Sequence, residues 1–457
     1  MSGVQVVNQS KFNSYSRKLL WSVSLGSFTD NYNLAINGAA SLSIIPAFHI
    51  TAVLFGFSAA IQGIGAAIGA FAFGFLADRF GRRRIFVIDL IFFAISTIVL
   101  SFTQTFAEFV IMKGLVGAAI GGDFVPGLTM LSEMVQKNKR GRSMGITVGV
   151  ALMMGTITVY LLSYLLFPVG ITVLWRYLYF LGAVPAVLAL IVRIGLPEPP
   201  RWIAEKNDQE ARKTLDEMGL SQESITLFKK DASYSTKHKF SLLKPYILGF
   251  TIPMGLITLF LGSIGVGIGG TGPLALASLH LTPRTALLYT TAIFNIPALI
   301  GTILSALTLD RVGRRRALWI GSPIVSAALF AFAIYATSAN FLLLGTLGAI
   351  GFLATWYMTP ILFGFASEVY PAAIRGVGQG INQTVFRLTA VLGGLGGTYI
   401  LTLYKASGLF EMYGLFALLG FIIALLLPKK SEPMNLELEE VTTKWVTQEK
   451  VAVGKDE

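Results

Sequence analysis

GFLADRFGRRR, running from Gly74 to Arg84, sets one carboxylate, Asp78, and a cluster of guanidinium groups in a short turn between two apolar runs, each long enough to cross a bilayer. The same device returns as ALTLDRVGRRR, Ala306 to Arg316. Asp310 minus Asp78 gives an offset of 232 positions, about half of the 457-residue chain. A second phrase repeats in the same order, SEMVQKNKRG at Ser132 to Gly141 and SEVYPAAIRG at Ser367 to Gly376, where Glu368 minus Glu133 gives 235. Two motifs recurring at nearly one offset describe two copies of one membrane unit.

Composition leads to the same class. Hydrophobic residues make up 54% of the chain and charged residues 13%, with a mean hydropathy of +0.68. A water-soluble core cannot hide that much apolar surface. Apolar runs of about 20 residues lie near 19–47, 53–77, 85–103, 107–133, 143–167, 174–196, 245–270, 285–309, 317–338, 340–367, 377–402 and 409–427. The expected fold is an all-α membrane protein of twelve transmembrane helices in two pseudo-symmetric six-helix bundles. Its divisions are a polar N-terminal segment 1–18, a first bundle 19–196, a helical linker 197–244, a second bundle 245–427 and a charged tail 428–457.

Lysine and arginine placement orients these spans. Arg79 to Arg84, Lys137 to Arg142, Arg201 to Lys244, Arg311 to Arg316, Arg375 and Lys429 to Lys430 fall on one side, whereas the other keeps Arg176, Arg284 and Lys405. The basic side is expected to be the cytoplasm, with both termini inside and the protein in the plasma membrane. Topology thus accounts for the net charge of +12 without nucleic acid as a partner. The first apolar run is full length, so no cleavable signal peptide is expected. The absence of cysteine excludes disulfides and thiol chemistry, and the three histidines, His49, His238 and His280, are scattered. No metal, nucleotide or nucleophile motif is present, so neither an enzyme nor a cofactor or metal site is expected.

These loop motifs are the signature of the major facilitator superfamily, which the chain resembles over about residues 18 to 428. PEPPRW, Pro197 to Trp202, resembles the phrase that ends the first half in the branch holding sugar porters and their organic-ion and phosphate relatives. The resemblance implies alternating access by a monomer, with small-molecule substrate and protons as its partners in the bilayer. It also implies a cytoplasmic gate in which Asp78, Arg82, Glu133 and Arg140 interlock, as do Asp310, Arg314, Glu368 and Arg375. Asp89 and Arg193 read as part of the same structural electrostatics.

The first span carries Asp30, Asn33 and Asn37 at i, i+3 and i+7, expected on one helix face that cannot look at lipid. Counting from Leu19 puts Asp30 roughly 16 Å deep, near the midplane of a core about 30 Å thick. A carboxylate there costs about 2.5 to 3.5 kcal/mol and is expected to face a cavity, either to carry protons or to hold a packing hydrogen bond. TDNYNLAING resembles phosphate-proton symporters at Asp30, whereas proton-coupled sugar porters place an Asp at the position of Asn33. Gln62, on the second span, is a candidate ligand donor or an interhelical bridge, and the face of Gly63, Gly65 and Gly69 suits close packing.

On the fourth span, GGDF from Gly121 to Phe124 resembles the GGDY of phosphate symporters, which makes Asp123 a second proton candidate beside a purely structural role. Lys113 falls where relatives carry an arginine. It lies about 15 Å and about 80° away from Asp123, so the two cannot pair directly. The fifth span lacks the hexose-binding glutamine of sugar porters. Glycines in GSIGVGIGGTGP, Gly262 to Pro273, are expected to interrupt the seventh span as a gate. On the eleventh span Gln379, Gln383 and Arg387 share a face, with Arg387 about 15 Å deep, where its fork suits an anion or an internal carboxylate partner. Asn295, Trp356 and Tyr357, at similar depth, are placed to frame a substrate.

Taken together, the residues point to proton-coupled symport of a small organic anion, with Asp30 and Asp123 carrying protons and Arg387, helped by Lys113, receiving the anion. A sugar or polyol carrier is the alternative, favoured by PEPPRW and Asn33. A non-transporting sensor of the same fold is a third reading.

Overall fold

The computed structural model describes residues 14–134, 145–194, 246–338, 340–370 and 374–432, together with Leu196, Glu198 and Gln209. The linker and tail expected at 197–244 and 428–457 lie mostly outside the described residues. Within them the chain is almost entirely helical, as lipid demands, because a helix satisfies its own backbone polar groups. We number the crossings α1 (Ser14–Ala39, prolonged by the short helix Ser41–Ala47), α2 (Ala52–Phe80), α3 (Arg82–Ser101), α4 (Phe106–Met134), α5 (145–165), α6 (Leu174–Arg193), α7 (Ile247–Ala277), α8 (Pro283–Val312), α9 (Arg314–Tyr335), α10 (Phe341–Val369), α11 (375–404) and α12 (406–425). Helices α11 and α12 meet at Lys405, whose φ of 57° breaks an otherwise continuous helical path. Among the described residues eight segments are long and apolar enough to span, and the last of these, Val377–Leu425, contains both α11 and α12. Helices α1, α4 and α5 complete the twelve. Polar residues dilute the hydropathy of α1, and α5 begins with a π-helical turn, Gly145–Val150, that shortens its regular part.

The repeated loop motif forms the same turn twice. Gly81 (φ 109°) separates α2 from α3 and Gly313 (φ 87°) separates α8 from α9, conformations open to residues without a Cβ. Each following helix then starts on arginines whose free N–H groups need an acceptor. Glu198 accepts from the backbone N of Arg83 and Arg84 at 3.0 and 3.4 Å. Glu432 does the same for Arg314 and Arg315 at 3.1 and 2.8 Å. Glu432 minus Glu198 is 234, so this cap belongs to the internal repeat.

Two apolar cores fill the structure. One is built mainly from residues of α1 to α6, including Tyr32, Phe93, Trp175 and Tyr179, with Leu287 of α8; the other mainly from α7 to α12, including Phe250, Phe294, Phe332 and Tyr413, with Met153 of α5. Large side chains such as Phe71, Leu248 and Leu342 are more than 80% exposed and form the surface that lipid covers.

The closest helix packing is between α2 and α4. A Cβ on Gly65 or Gly69 would collide with the carbonyl oxygens of Gly114 and Ala118, and one on Gly117 or Gly121 with those of Gln62 and Ala66. Glycine ridges thus interlock, and backbone carbonyls, not yielding side chains, occupy the space. Gly69→Leu and Gly121→Leu are each expected to destabilise the protein by at least about 3 kcal/mol, the top of the usual overpacking range. Gly74→Leu, where nothing lies within 4 Å of the new carbon, is the control. Thermal unfolding of the purified variants checks this; a normal profile for both of the first two would contradict it.

The seventh span is not interrupted. Residues 252–277 form one α-helix through the glycine-rich stretch. Neighbours use the missing side chains: Gly267 receives the Tyr413 hydroxyl, Gly262 lies under Thr389 and Phe386, and nothing lies within 4 Å of a Cβ built on Gly269 or Gly270. The glycines thin a helix wall. Packing of the surrounding helices overrides their weak helix propensity.

Candidate functional site

A cavity lies between the two cores. Its wall is drawn from α1, α2 and α5 on one side and α7, α8, α10 and α11 on the other. Gly269 and Gly270 belong to that wall, which explains the thinned helix. The halves also touch on both sides of it. Toward the end away from the arginine loops, the Tyr160 hydroxyl donates to the Gly269 carbonyl at 2.9 Å and Gly38 abuts the same carbonyl. Toward the arginine loops, Gly149 of α5 abuts Thr302 of α8.

Five of the sequence-predicted residues line the cavity: Asp30, Asn37, Asn295, Trp356 and Arg387. Asp30 and Arg387 are 2% and 6% exposed, an acid and a base facing one space from opposite halves. Three polar atoms of this wall have no hydrogen-bond partner in the protein: Asp30 Oδ2, Asn295 Nδ2 and Trp356 Nε1. Sequence reasoning missed Asn31, which donates to the Leu152 carbonyl at 2.7 Å and to Thr156 Oγ1 at 2.5 Å and so ties α1 to α5 at the cavity edge.

Other candidates sit elsewhere. Asn33 turns toward α6, next to Gly182, and donates to the Thr29 carbonyl at 3.2 Å. A spacing of three advances a helix by about 300°, so Asn33 lies about 60° off Asp30, whereas seven residues bring Asn37 to within about 20° of it. Tyr357 shares a hydrogen bond with Thr308 at 2.9 Å, and Gln383 is buried outside the cavity wall with its amide unpartnered. Gln379 donates to the Phe363 carbonyl at 2.6 Å.

Lys113 stands one layer behind the cavity. Its ammonium donates to Gln62 Oε1 at 2.7 Å, to the Tyr179 hydroxyl at 3.0 Å and to Asn37 Oδ1, with Asn37 Nδ2 donating to Gln62 at 2.7 Å. Three donors meet three neutral acceptors, which leaves no hydrogen on this ammonium for a ligand. Its contact with the cavity runs through Asn37.

Asp123 also faces away. It pairs with Arg193 at 2.5 Å, and Arg193 in turn donates to the Phe86 carbonyl at 2.7 Å and lies 3.3 Å over that ring. At the arginine-loop end, Arg314 grips Glu368 through two bonds of 2.9 Å and Asp310 at 2.8 Å. In the first half Arg82 starts α3, while the side chains of Asp78, Glu133 and Arg375, and all of Arg140, lie outside the described residues.

A cavity between two repeated helical halves belongs to a carrier, and comparison with known proteins decides which kind. The family model described as sugar (and other) transporter matches residues 6–445. The chain belongs to that family. The transporter is 26% identical over 439 residues to a probable metabolite transport protein, CsbC, of Bacillus subtilis, covering 92% of this chain and 93% of the relative. It is 28% identical over 407 residues to the arabinose-proton symporter of the same organism, covering 84% and 85%. Among solved structures, the proton:xylose symporter XylE matches with a TM-score of 0.77 at 21% identity, covering 95% of this chain and all of that one. At that identity the match establishes the major facilitator fold. The protein is a multi-pass membrane transporter and not an enzyme.

Proposed function

We propose that the protein is a proton-coupled symporter of a small polyhydroxylated solute, a sugar or polyol, working by alternating access around the central cavity. The observation that carries this reading is the trio of unpartnered polar atoms in its wall: two donors, Asn295 Nδ2 and Trp356 Nε1, and one acceptor, Asp30 Oδ2. A hydroxyl both donates and accepts, so a polyol matches such a mixed set, whereas a carboxylate offers acceptors alone. The Trp356 ring adds a flat apolar surface for the C–H face of a sugar. Similarity to an arabinose-proton symporter across most of the chain supports the same solute class.

A second reading, a small organic anion, is favoured by Arg387, a permanent cation in the cavity wall. Asp30 opposite supplies an internal counter-charge, which weakens the need for an anionic solute. Lys113, with its three hydrogens donated to Asn37, Gln62 and Tyr179, does not add to the anion site.

The two readings differ in charge moved. One proton with a neutral sugar carries a net charge, worth about 2.3 kcal/mol per 100 mV, whereas one proton with a monoanion is electroneutral. Proteoliposomes with an imposed potential and labelled pentoses, hexoses, polyols or small carboxylates are expected to show voltage-driven sugar uptake. Asn295→Ala and Trp356→Phe should each lower the apparent affinity by about tenfold, the loss of roughly 1.4 kcal/mol of hydrogen bonding. Voltage-independent carboxylate uptake, with sugars inert, would replace the first reading by the second.

For topology, we place the arginine-loop end in the cytoplasm of the cell, with both termini there, the halves at 19–196 and 245–427, and the Arg314, Glu368 and Asp310 cluster latching the cytoplasmic ends of a working monomer.

A further inference from the structure

Behind the cavity, between α1, α3, α4 and α6, lies a group of charges that solute binding does not use. Asp89 of α3 is fully buried, and neither of its carboxylate oxygens has a hydrogen-bond partner. Its Oδ1 occupies the space where a Cβ on Gly122 would stand, next to Asp123. Gly26 of α1 makes the corresponding room for Asp123 Oδ2 and Arg193 Nη2. Two glycines on two helices thus leave gaps that carboxylate and guanidinium atoms fill. Arg193 keeps Nε and Nη2 unpartnered although it is fully buried.

The charges facing Asp89 are Asp123 from α4, Arg193 from α6 and Asp30 from α1, while α2 contributes the ring of Phe73. Asp30 in turn faces Asp123, Arg193 and, across the cavity, Arg387. Fully ionised, three carboxylates and two guanidiniums carry one net negative charge in the membrane interior. One proton neutralises the set.

The Asp123–Arg193 ion pair at 2.5 Å is closed on itself, since each charge has its opposite in contact. The proton therefore divides between Asp30, which borders the cavity, and Asp89, which has no cation in hydrogen-bond contact. We propose that Asp89 is a second proton site of the transporter, where the coupling proton rests behind the cavity whenever Asp30 is ionised. In the exchange one O–H bond breaks at the Asp30 carboxyl and one forms at Asp89, so the total charge of the set is unchanged. When Asp30 is ionised it balances Arg387 across the solute; when it is protonated, Asp89 holds the negative charge and leans on Arg193. The inference rests on the proton-coupled reading above.

Infrared difference spectra of the purified transporter across a pH titration read protonated carboxyl groups directly through their carbonyl stretch, with no need for a substrate. The expected result for the solute-free protein is a protonated-carboxyl band that Asp89→Asn removes and Asp89→Glu shifts in frequency, and that Asp30→Asn, which leaves two carboxylates balanced by two guanidiniums, also removes. A band unchanged in both Asp89 variants, or no such band at all, overturns the proposal. If Asp89→Asn fails to fold, the shift in Asp89→Glu decides the matter alone. Proton-driven uptake with a band indifferent to Asp89 removes this inference and leaves the symport reading standing. A band that follows Asp89 in a protein whose uptake ignores the pH gradient removes the symport reading, and with it any coupling role for Asp89.

Discussion

Asp30→Asn is expected to abolish accumulation of solute against its gradient while leaving exchange of labelled for unlabelled solute in place. Asp30 is the cavity-lining carboxylate of the first half, and one of its oxygens has no partner in the protein. An asparagine keeps the shape and a carbonyl acceptor but cannot take up or release a proton. With one proton per solute, a gradient of one pH unit supplies about 1.36 kcal/mol and sustains about tenfold accumulation. The variant should equilibrate at a ratio of one. Exchange cycles the loaded carrier back and forth without net proton movement, so it survives where coupling alone is lost. Proteoliposomes measure both quantities on one preparation. Gradient-driven accumulation persisting in the variant would exclude Asp30 as the carrier, and loss of exchange together with accumulation would reassign it to holding the solute or the fold.

The second large effect concerns the closure between the halves. Gly38 of α1 meets the backbone carbonyl of Gly269 on α7 and the Tyr160 hydroxyl of α5. A side chain there collides with backbone, which cannot rotate away. Gly38→Val should therefore disfavour the state in which the halves meet at that end by about 3 kcal/mol, the upper range of overpacking, or about 100-fold in population. A carrier that cannot close at one end cannot complete its cycle, so uptake should fall to background. The chain has no cysteine, which makes a single introduced thiol an unambiguous reporter. Gly270→Cys faces the cavity with nothing within 4 Å of its Cβ and should be tolerated. A membrane-impermeant thiol reagent applied from the side away from the arginine loops is expected to label it strongly in the Gly38→Val background and weakly without it. Equal labelling in the two backgrounds would show that this contact does not control access.

Much of the architecture was legible because it rests on local chemistry. Apolar runs, glycine turns and arginine loops each act within a few residues, and the repeat at offsets of 232 and 235 doubled the signal. The caps from Glu198 and Glu432 went unread although both sit in a Glu-Pro dipeptide at an offset of 234. Their partners lie over a hundred residues away, where the pattern within one helix says nothing.

Depth along a helix was equally readable, since 1.5 Å per residue places Asp30 and Arg387 near the midplane without any knowledge of neighbours. Direction around the helix was not. Lys113 and Asp123 were placed at plausible depths, yet Lys113 spends its hydrogens on Asn37, Gln62 and Tyr179, and Asp123 closes on Arg193. Asn33 misses the cavity by about 60° of helix rotation. The glycines of the seventh span read as a break because propensity is local, whereas the packing that keeps that helix continuous, such as Tyr413 against Gly267 and Thr389 and Phe386 against Gly262, comes from other helices.

The sequence by itself determined that this is a twelve-helix membrane carrier built from two related halves, because hydropathy, charge asymmetry and internal repeats are properties of the chain alone. Tertiary structure alone decided which buried polar groups satisfy one another and which are left facing the cavity. A buried charge or amide must find partners, and the partners are chosen by how helices distant in sequence rotate and pack.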